Sequence, residues 1–203
     1  MTGYYFITDA ALSRHGNIHD VKAAIAAGVE VVQYRAKEGS TRELCLEAAR
    51  LRKLCRNSLF LINDRVDIAL AVGADGVHLG QDDLPVPVAR KLLGARRIIG
   101  VTTHTLAEAI QAERQGADYL GLSPIFSTVT KADAGKPAGL KLIERVRRAV
   151  KTPLIAIGGI TLDNAPKVIG AGADGLCALS AVITSKNVKA EIQKFQRLFV
   201  NTT

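Results

Sequence analysis

The chain has 203 residues, 48% of them hydrophobic and 4% aromatic, and its formal net charge is +8. This length predicts one domain spanning residues 1–203, and the absence of a membrane-length apolar run, of a secretory signal and of any Cys-x-x-Cys pair predicts a cytoplasmic protein with reduced thiols. A basic excess with so few aromatic rings to stack on bases favours small anionic substrates over nucleic acid or a membrane surface.

An internal repeat organises the chain. GADGVHLG begins at Gly73, GADYLGLSP at Gly116 and GADGLCALS at Gly172, each after a segment with helical periodicity. Glycine just past a helix tolerates the left-handed backbone of a C-cap, and the apolar run that follows is typical of a buried strand. The repeat therefore predicts a helix, a tight turn and a buried strand in succession.

Eight strands are predicted in chain order. They begin at Tyr4, Val31, Leu59, Gly76, Ile98, Tyr119, Pro153 and Gly175. The helix N-caps predicted between them, two of which start a capping box, are Asp20, Ser40 (with Glu43), Thr105 (with Glu108) and Asp163 or Asn164. Apolar strands that alternate with helices pair in parallel, and eight of them favour an α/β fold, a (β/α)8 TIM barrel, over an open doubly wound sheet.

Polar residues gather where the predicted strands end and not where they begin. They are Thr8, Asp9, Gln33, Arg35, Lys37, Asn63, Asp64, Gln81, Asp82, Asp83, Thr102, Thr103, His104, Ser123, Gly158, Gly159 and Ser180. In a parallel barrel these ends meet on one face, where barrel enzymes place their chemistry. The pattern therefore indicates an enzyme and not an inert scaffold.

Two pairs of charged residues at these ends predict particular chemistry. Arg35 and Lys37 follow Gln33 at two-residue spacing, so strand alternation aims all three at the barrel mouth as an anion clamp, unless the two cations lie in a solvated loop. Asp64 and Asp83 end neighbouring strands, and two carboxylates beside a cationic clamp suit Mg²⁺. The alternatives are a helix cap for Asp64 and a plain surface charge for Asp83.

The longest connection, IFSTVTKADAGKPAG at residues 125–139, offers hydroxyl and ammonium donors. Long loops in compact folds are more often functional than accidental, so we interpret it as a loop in which Lys131 and Lys136 close over an anion; a disordered insertion is the alternative. Gly159 and Ser180 follow strands seven and eight, where barrels commonly bind phosphate. His78 is interpreted as a hydrogen-bonded barrel residue.

Taken together, these motifs resemble the thiamine-phosphate synthase (thiamine-phosphate pyrophosphorylase) family. The matching blocks are QYRAK from Gln33, LINDRVDIALAVGADGVHLGQDDLP from Leu61, PIFSTVTK from Pro124 and AIGGI from Ala156. The resemblance implies a transferase of thiamine biosynthesis with a (β/α)8 barrel. It would join 4-amino-2-methyl-5-hydroxymethylpyrimidine diphosphate to 4-methyl-5-(2-hydroxyethyl)thiazole phosphate, giving thiamine monophosphate and pyrophosphate, with one Mg²⁺ per active site.

The resemblance also implies residue roles. The implied substrate-binding residues are Gln33, Tyr34, Arg35, Ala36, Lys37, Asn63, Thr102, Thr128, Val129, Thr130, Lys131, Gly159, Leu179 and Ser180, and the implied metal ligands are Asp64 and Asp83. Arg35, Lys37 and Lys131 would be catalytic, because they neutralise the charge that builds on the leaving diphosphate. Thr102 and Ser123 stand where the family usually has Ser and Gly, and Pro124 stands about where the related thiazole tautomerase is expected to carry its catalytic His.

Other functions stay open at this point. Another phosphate-binding barrel enzyme, either tautomerase-like or a sugar-phosphate isomerase, would use Gly159 and Ser180 but would leave the Arg35 and Lys37 cluster without a phosphate. A non-catalytic basic binding protein would show affinity that falls steeply with salt. The predicted partners are small molecules, without nucleic acid or membrane, and a homo-oligomer is left open.

Overall fold

The eight predicted strands are confirmed: they form one closed parallel barrel in the computed structural model, which describes residues 1–128 and 135–200. The strands are β1 (Gly3–Ile7), β2 (Val31–Tyr34), β3 (Leu59–Asn63), β4 (Gly76–Leu79), β5 (Ile98–Thr103), β6 (Tyr119–Leu122), β7 (Leu154–Ile157) and β8 (Gly175–Cys177). Each strand pairs with the next along the chain, and β1 pairs with β8 to close the ring. An open sheet would leave two unpaired edges, so the barrel is the correct one of the two folds considered.

Helices cover the outside of the barrel. In the part of the chain that the structure describes they are α1 (Asn17–Ala26), α2 (Thr41–Leu54), α3 (Val66–Val72), α4 (Val86–Leu93), α5 (Leu106–Arg114), α6 (Leu140–Ala149), α7 (Ala165–Gly170), α8 (Leu179–Ile183) and α9 (Val188–Val200). None of these helices is long and apolar enough to cross a membrane. The predicted strand 175–180 is too long, because Leu179 already begins α8.

Three of the predicted helix starts are confirmed. Ser40 and Glu43 form a complete capping box at α2, in which each side chain accepts the backbone N–H of the other residue. Thr105 caps α5 by accepting the N–H of Glu108. Asn164, and not Asp163, occupies the N-cap position of α7.

The predicted N-cap at Asp20 is wrong. Helix α1 begins earlier, after Gly16, whose positive φ of 81° lets the chain turn sharply into the helix. Asp20 is completely buried in the first helical turn, where its carboxylate accepts a hydrogen bond from the Ser13 hydroxyl. A carboxylate in the first turn still faces the positive end of the helix dipole, which is why the sequence pattern resembles a cap.

The repeated Gly-Ala-Asp segments anchor alternate strands at the N-terminal end of the barrel. In each repeat the aspartate carboxylate accepts the backbone N–H of a residue in β3, β5 or β7, at 2.8, 2.7 and 2.7 Å respectively. The three aspartates are Asp75, Asp118 and Asp174. This end of the barrel is therefore structural, and the polar groups of the opposite end are free for chemistry.

The apolar core has two parts, because both faces of each strand are buried. The larger part fills the space between the strands and the helices. The smaller part lies inside the barrel and consists of Tyr5, Ile7, Val31, Leu61, Tyr119, Ile155 and Cys177. The polar residues at the C-terminal ends of the strands lie directly above this inner cluster.

Candidate active site

A cavity of about 370 Å³ opens at the C-terminal ends of the strands. Its lining brings together most of the polar residues that the sequence predicts at this face. Those predicted residues are Gln33, Arg35, Lys37, Asn63, Asp64, Gln81, Asp82, Asp83, Thr102, His104, Ser123, Thr128, Gly158, Gly159, Leu179 and Ser180. Residues from every part of the barrel thus meet in one space, as expected for a barrel enzyme.

Arg35 is fixed against the end of β1. Its guanidinium donates to the Asp9 carboxylate at 2.9 Å, and its backbone N–H donates to the Thr8 hydroxyl at 3.0 Å. The other carboxylate oxygen of Asp9 accepts the N–H groups of Ala11 and Leu12. Arg35 is therefore held in one orientation, with its charge beside the cavity and not in a solvated loop.

Lys37, Asp64 and Asp83 form a connected charge cluster on the adjoining wall. The Lys37 ammonium donates to the Asp64 carboxylate at 2.8 Å, and the Gly80 N–H donates to Asp83 at 2.6 Å. Asp64 has a positive φ of 62°, and α3 begins at Val66 with Arg65 in the N-cap position, so Asp64 is not the helix cap that was the alternative. A left-handed backbone at a residue other than glycine is a typical feature of functional sites.

The two aspartates are close enough to share a proton. Burial raises the pKa of Asp83 above its usual value, and the Asp64 carboxyl group raises it further. Burial alone would also raise the pKa of Asp64, but hydrogen bonds from Lys37 and Asp83 lower it below its usual value. Asp64 is thus the more acidic member of the pair.

This pair fits a divalent cation. Two carboxyl groups forced together need a positive charge between them, and carboxylate oxygens are the ligands that Mg²⁺ prefers. Within residues 1–128 and 135–200, no group of three or more His, Cys, Asp or Glu side chains is arranged to hold a metal. A cation at Asp64 and Asp83 would therefore take its remaining ligands from water or substrate, which is usual for Mg²⁺.

The opposite wall is built from glycine and hydroxyl groups. Gly159, which follows β7, has a φ of 62°, and a Cβ there would lie 2.4 Å from the carbonyl oxygen of Ser127. Thr128 lines the cavity beside it, and Leu179 and Ser180 begin α8 across the opening. Only glycine lets the connection after β6 approach the end of β7 this closely.

Some predicted site residues are placed elsewhere. Tyr34 points away from the cavity and donates its hydroxyl to Glu47 of α2 at 2.7 Å, because strand alternation turns it opposite to Gln33. Ala36 packs against the outer core and does not line the cavity either, so the substrate-binding roles implied for Tyr34 and Ala36 stay predictions. Lys136 is exposed and outside the lining.

Three predicted residues, Val129, Thr130 and Lys131, lie outside the described part of the chain. Their assignments remain predictions. Thr128, the last described residue before them, lines the cavity.

Other lining residues were missed or given a purely structural role. His78 is hydrogen-bonded inside the barrel as predicted, with its ring nitrogens 2.7 and 2.8 Å from Tyr119 and Thr102, yet it also lines the cavity. Ile157 and Cys177 complete the apolar wall. Each lies two residues before a predicted site residue, Gly159 or Leu179, so strand alternation carried backward from those residues would have found them.

Cys177 is not a nucleophile in this setting. It is fully buried, and burial raises the pKa of its thiol to about 12. The reactive form of cysteine is the thiolate, which is scarce at neutral pH under such conditions. The cavity thus offers charge and hydrogen bonds and no activated thiol at this position.

Comparisons with known proteins give the family. Residues 4–182 match the thiamine monophosphate synthase family. A thiamine-phosphate synthase of Methanosarcina mazei is 53% identical over 193 residues, covering 95% of this chain and 80% of that protein. One of Chloroflexus aurantiacus is 50% identical over 198 residues, covering 96% of this chain and 91% of the relative.

The fold comparison agrees with the sequence comparison. The structure of a thiamine phosphate pyrophosphorylase from Pyrococcus furiosus superimposes with a TM-score of 0.91 at 38% identity, covering 98% of this chain and 96% of that one. The fold, the cationic clamp beside paired aspartates, and these relatives lead to one conclusion. The chain is a transferase that belongs to the thiamine monophosphate synthase family.

Proposed function

We propose that this enzyme joins 4-amino-2-methyl-5-hydroxymethylpyrimidine diphosphate to 4-methyl-5-(2-hydroxyethyl)thiazole phosphate, releasing pyrophosphate in a Mg²⁺-dependent reaction. The observation that carries the proposal is that one cavity has two different polar walls, each with groups that suit an anion. Arg35, Lys37 and the aspartate pair form the first wall, and Thr128, Gly159 and Ser180 form the second. Two phosphorylated substrates that must react with each other need two such walls facing one space.

The first wall suits the diphosphate. Arg35 holds its planar donor fork in place through Asp9, and such a fork binds phosphate oxygens in pairs. Lys37 adds a second positive charge 2.8 Å from Asp64. When the bond to the pyrimidine methylene breaks, negative charge grows on the leaving oxygen, and cations already in position stabilise that charge without rearranging.

Asp64 and Asp83 would hold Mg²⁺ beside this wall, where it would neutralise part of the charge of the leaving diphosphate. With a metal bound, both carboxyl groups would be ionised, and Lys37 would be released from Asp64 to contact a phosphate oxygen. Burial is the main cause of the raised pKa of Asp83, and the neighbouring Asp64 carboxyl group adds to it, so a cation bound at the pair would stabilise both carboxylates.

The second wall suits the monophosphate of the thiazole. Ser180 and Thr128 offer hydroxyl donors, and the glycine at 159 lets a phosphate approach the backbone closely. The thiazole nitrogen attacks as a neutral nucleophile, so no proton has to be removed. The electron-rich aminopyrimidine stabilises a cation at its methylene, so diphosphate departure precedes attack. This chemistry requires no Ser-His-Asp triad and no thiolate.

Lys131 completes the proposed catalytic set with Arg35 and Lys37. Its sequence position, three residues after the lining residue Thr128, makes it the first cation of the connection that follows β6. We assign it to the diphosphate as well. The three free cysteines support a cytoplasmic location for the enzyme.

The test of the function is direct. Purified protein is incubated with both heterocyclic phosphates, and released pyrophosphate and thiamine monophosphate are measured with Mg²⁺ and with excess chelator. We expect stoichiometric formation of both products with the metal and neither without it. Absence of product with Mg²⁺ present would reject the proposed substrates.

The metal assignment has its own variants. In Asp64→Asn with Asp83→Asn, the carboxamides keep the shape of the site but lose its charge, so we expect turnover to fall by roughly two to three orders of magnitude. Mg²⁺ binding, measured by calorimetry with pyrophosphate present, should be lost in the same variant. The matched control is Asp67→Asn, an exposed aspartate paired with Arg65, which should leave both unchanged. A double variant that turns over normally in chelator would show that the metal assignment is wrong.

A further inference from the structure

A second cavity lies at the N-terminal end of the barrel, opposite the candidate active site. It has a volume of about 370 Å³ and opens where β3, β4 and β5 begin. Its lining residues are Leu59, Gly73, Ala74, Asp75, Arg96, Arg97 and Ile98, none of which lines the candidate active site. We name it the basic cavity because two of its three charged side chains are arginines.

The basic cavity and the candidate active site are separate spaces. The strands that connect the two ends, β3, β4 and β5, have five, four and six residues. At about 3.3 Å per residue, these strands hold the two cavities roughly 13–20 Å apart. A ligand in the basic cavity would therefore bind without touching the groups that the proposed reaction uses.

Arg97 is held in place at the wall of the basic cavity. Its Nε donates to the Ala74 carbonyl at 3.3 Å, and its Nη1 donates to the Leu93 carbonyl at 3.1 Å. Its third nitrogen, Nη2, has no protein acceptor among residues 1–128 and 135–200. A guanidinium that is already fixed loses little conformational entropy when it binds an anion.

Arg96 adds a second positive charge beside Arg97. Its side chain is exposed and makes no hydrogen bond or ion pair with any residue that the structure describes. The carboxylate of the lining, Asp75, accepts the Phe60 N–H at 2.8 Å and pairs with Arg52 at 3.1 Å. Arg52 thus balances the charge of Asp75, and the basic cavity keeps two uncompensated positive charges.

This arrangement suits a doubly charged anion with a small apolar group. A phosphate monoester carries close to two negative charges at neutral pH, and guanidinium groups bind its oxygens in pairs. Leu59 and Ile98 are half-buried and pack against the inner core, so they offer an apolar surface to the ester group. A monocarboxylate would leave one of the two arginines without a counter-charge.

We infer that the basic cavity is a second anion-binding site, which takes a small phosphate monoester at the end of the barrel remote from the candidate active site. Arg97 holds the phosphate in a fixed orientation, and Arg96 supplies the second charge. The inference does not depend on which reaction the enzyme catalyses, because it rests on residues that the proposed function does not use.

The experiment measures binding by residue. The full chain is labelled with ¹⁵N and titrated with phenyl phosphate and with inorganic phosphate, and its amide NMR signals are followed. We expect saturable shifts of the Gly73, Asp75 and Ile98 amides, with a lower Kd for phenyl phosphate because of the apolar surface. Sodium acetate at the same ionic strength should leave these three signals almost unchanged, since screening alone is not specific to a dianion.

Two variants identify the arginines. Arg96→Ala removes one charge, and we expect Kd for phenyl phosphate at the basic cavity to rise roughly tenfold. Arg97→Lys keeps the charge but loses the planar fork, so a rise of similar size is expected. The matched control is Arg114→Ala, an exposed arginine in the last turn of α5 at the same end of the barrel but outside the lining. It should change this Kd less than about twofold.

Three results would overturn the inference. Phosphate-dependent shifts could be confined to amides of the candidate active site, such as those of Gly159 and Ser180. Acetate could shift the Gly73, Asp75 and Ile98 signals as much as phosphate does. Arg114→Ala could weaken binding as much as Arg96→Ala, which would indicate a general effect of net charge. The titration involves no turnover, so its result is independent of the test of the proposed function.

Discussion

Asp9 affects the cavity without lining it. Its carboxylate holds the Arg35 guanidinium with one oxygen and the backbone of the following loop with the other. Arg35 therefore keeps one orientation before any anion binds, which lowers the conformational entropy that is lost on binding. Residues of this kind cannot be read from a motif, since nothing in the sequence links Asp9 to a residue 26 positions later.

Gly159 gives a test at the residue scale. In Gly159→Ala the added Cβ would overlap the Ser127 carbonyl, 2.4 Å away, and would require a left-handed backbone at φ 62°. We expect the connection after β6 to move from the cavity, so that KM for the thiazole phosphate rises at least roughly tenfold, the cost of about 1.4 kcal/mol of lost contact and strain.

The control for this change is Gly73→Ala. Gly73 has a similar φ of 65°, but nothing lies within 4 Å of a Cβ placed there, and it is far from the cavity. It should cost stability alone, measured by urea unfolding, and leave both KM values unaltered. Equal KM effects in the two variants would mean that backbone strain, and not the contact with Ser127, is responsible.

At the residue scale, the sequence predicted most residues that line the cavity, but not the residues that hold them in place, such as Asp9. Alternation from Gln33 placed Arg35 and Lys37 correctly, and strand order brought Asp64 next to Asp83. The same alternation turns the Tyr34 side chain away from the cavity, which the contiguous motif of the resemblance does not show. Contacts that cross the barrel interior depend on ring orientation and register, which a single sequence does not contain.

At the scale of elements, the Gly-Ala-Asp repeat has a second function beyond its turn. Each repeat aspartate, besides binding a strand N–H, pairs with an arginine from an earlier helix: Arg52 with Asp75, Arg90 with Asp118 and Arg147 with Asp174. The partners are 23, 28 and 27 residues apart. The glycines predicted the turns, but the arginine partners follow only from the fold, because each lies one helix and one strand away.

This repeated device predicts a loss of stability without a loss of activity. Asp118→Ala would leave the N–H of Ile99 without its acceptor, which is 2.7 Å away, and would remove the carboxylate that pairs with Arg90 at 2.6 Å. We expect the free energy of unfolding in urea to fall by about 2 kcal/mol, within the usual range for an unsatisfied buried donor. Turnover per folded molecule should be unchanged, because these contacts of Asp118 are at the opposite end of the barrel from the cavity.

An exposed ion pair provides the comparison. Asp67 pairs with Arg65 at 2.6 Å but carries no strand N–H, and its side chain is 60% exposed. Asp67→Ala should therefore change stability by about 0.5 kcal/mol or less. If it proved as costly as Asp118→Ala, the strand N–H would not be the source of the effect.

For the whole molecule, the closure of the barrel is the shortest strand pairing in the ring. β1 and β8 share two register pairs, whereas every other neighbouring pair shares three or four. Helix α9 covers this seam: Gln196 accepts the N–H of Tyr4 at 3.1 Å, and the Phe195 ring lies 5.4 Å from the Tyr4 ring. The eight strands were predictable from local patterns, but the need for a covering helix follows from closure, which is a property of the complete ring.

The seam makes Phe195 the critical residue of α9. Phe195 is completely buried, so Phe195→Ala should lower the free energy of unfolding by about 3–5 kcal/mol, measured in urea. Val200→Ala, on the same helix and 74% exposed, should cost less than about 0.5 kcal/mol. Because β1 carries Ile7, which lines the cavity, and leads to Asp9, which holds Arg35, opening the seam should abolish activity together with structure, in one cooperative transition. If activity were lost at a lower urea concentration than the one that unfolds the protein, the seam would open locally. Helix α9 would then stabilise the cavity and not the whole fold.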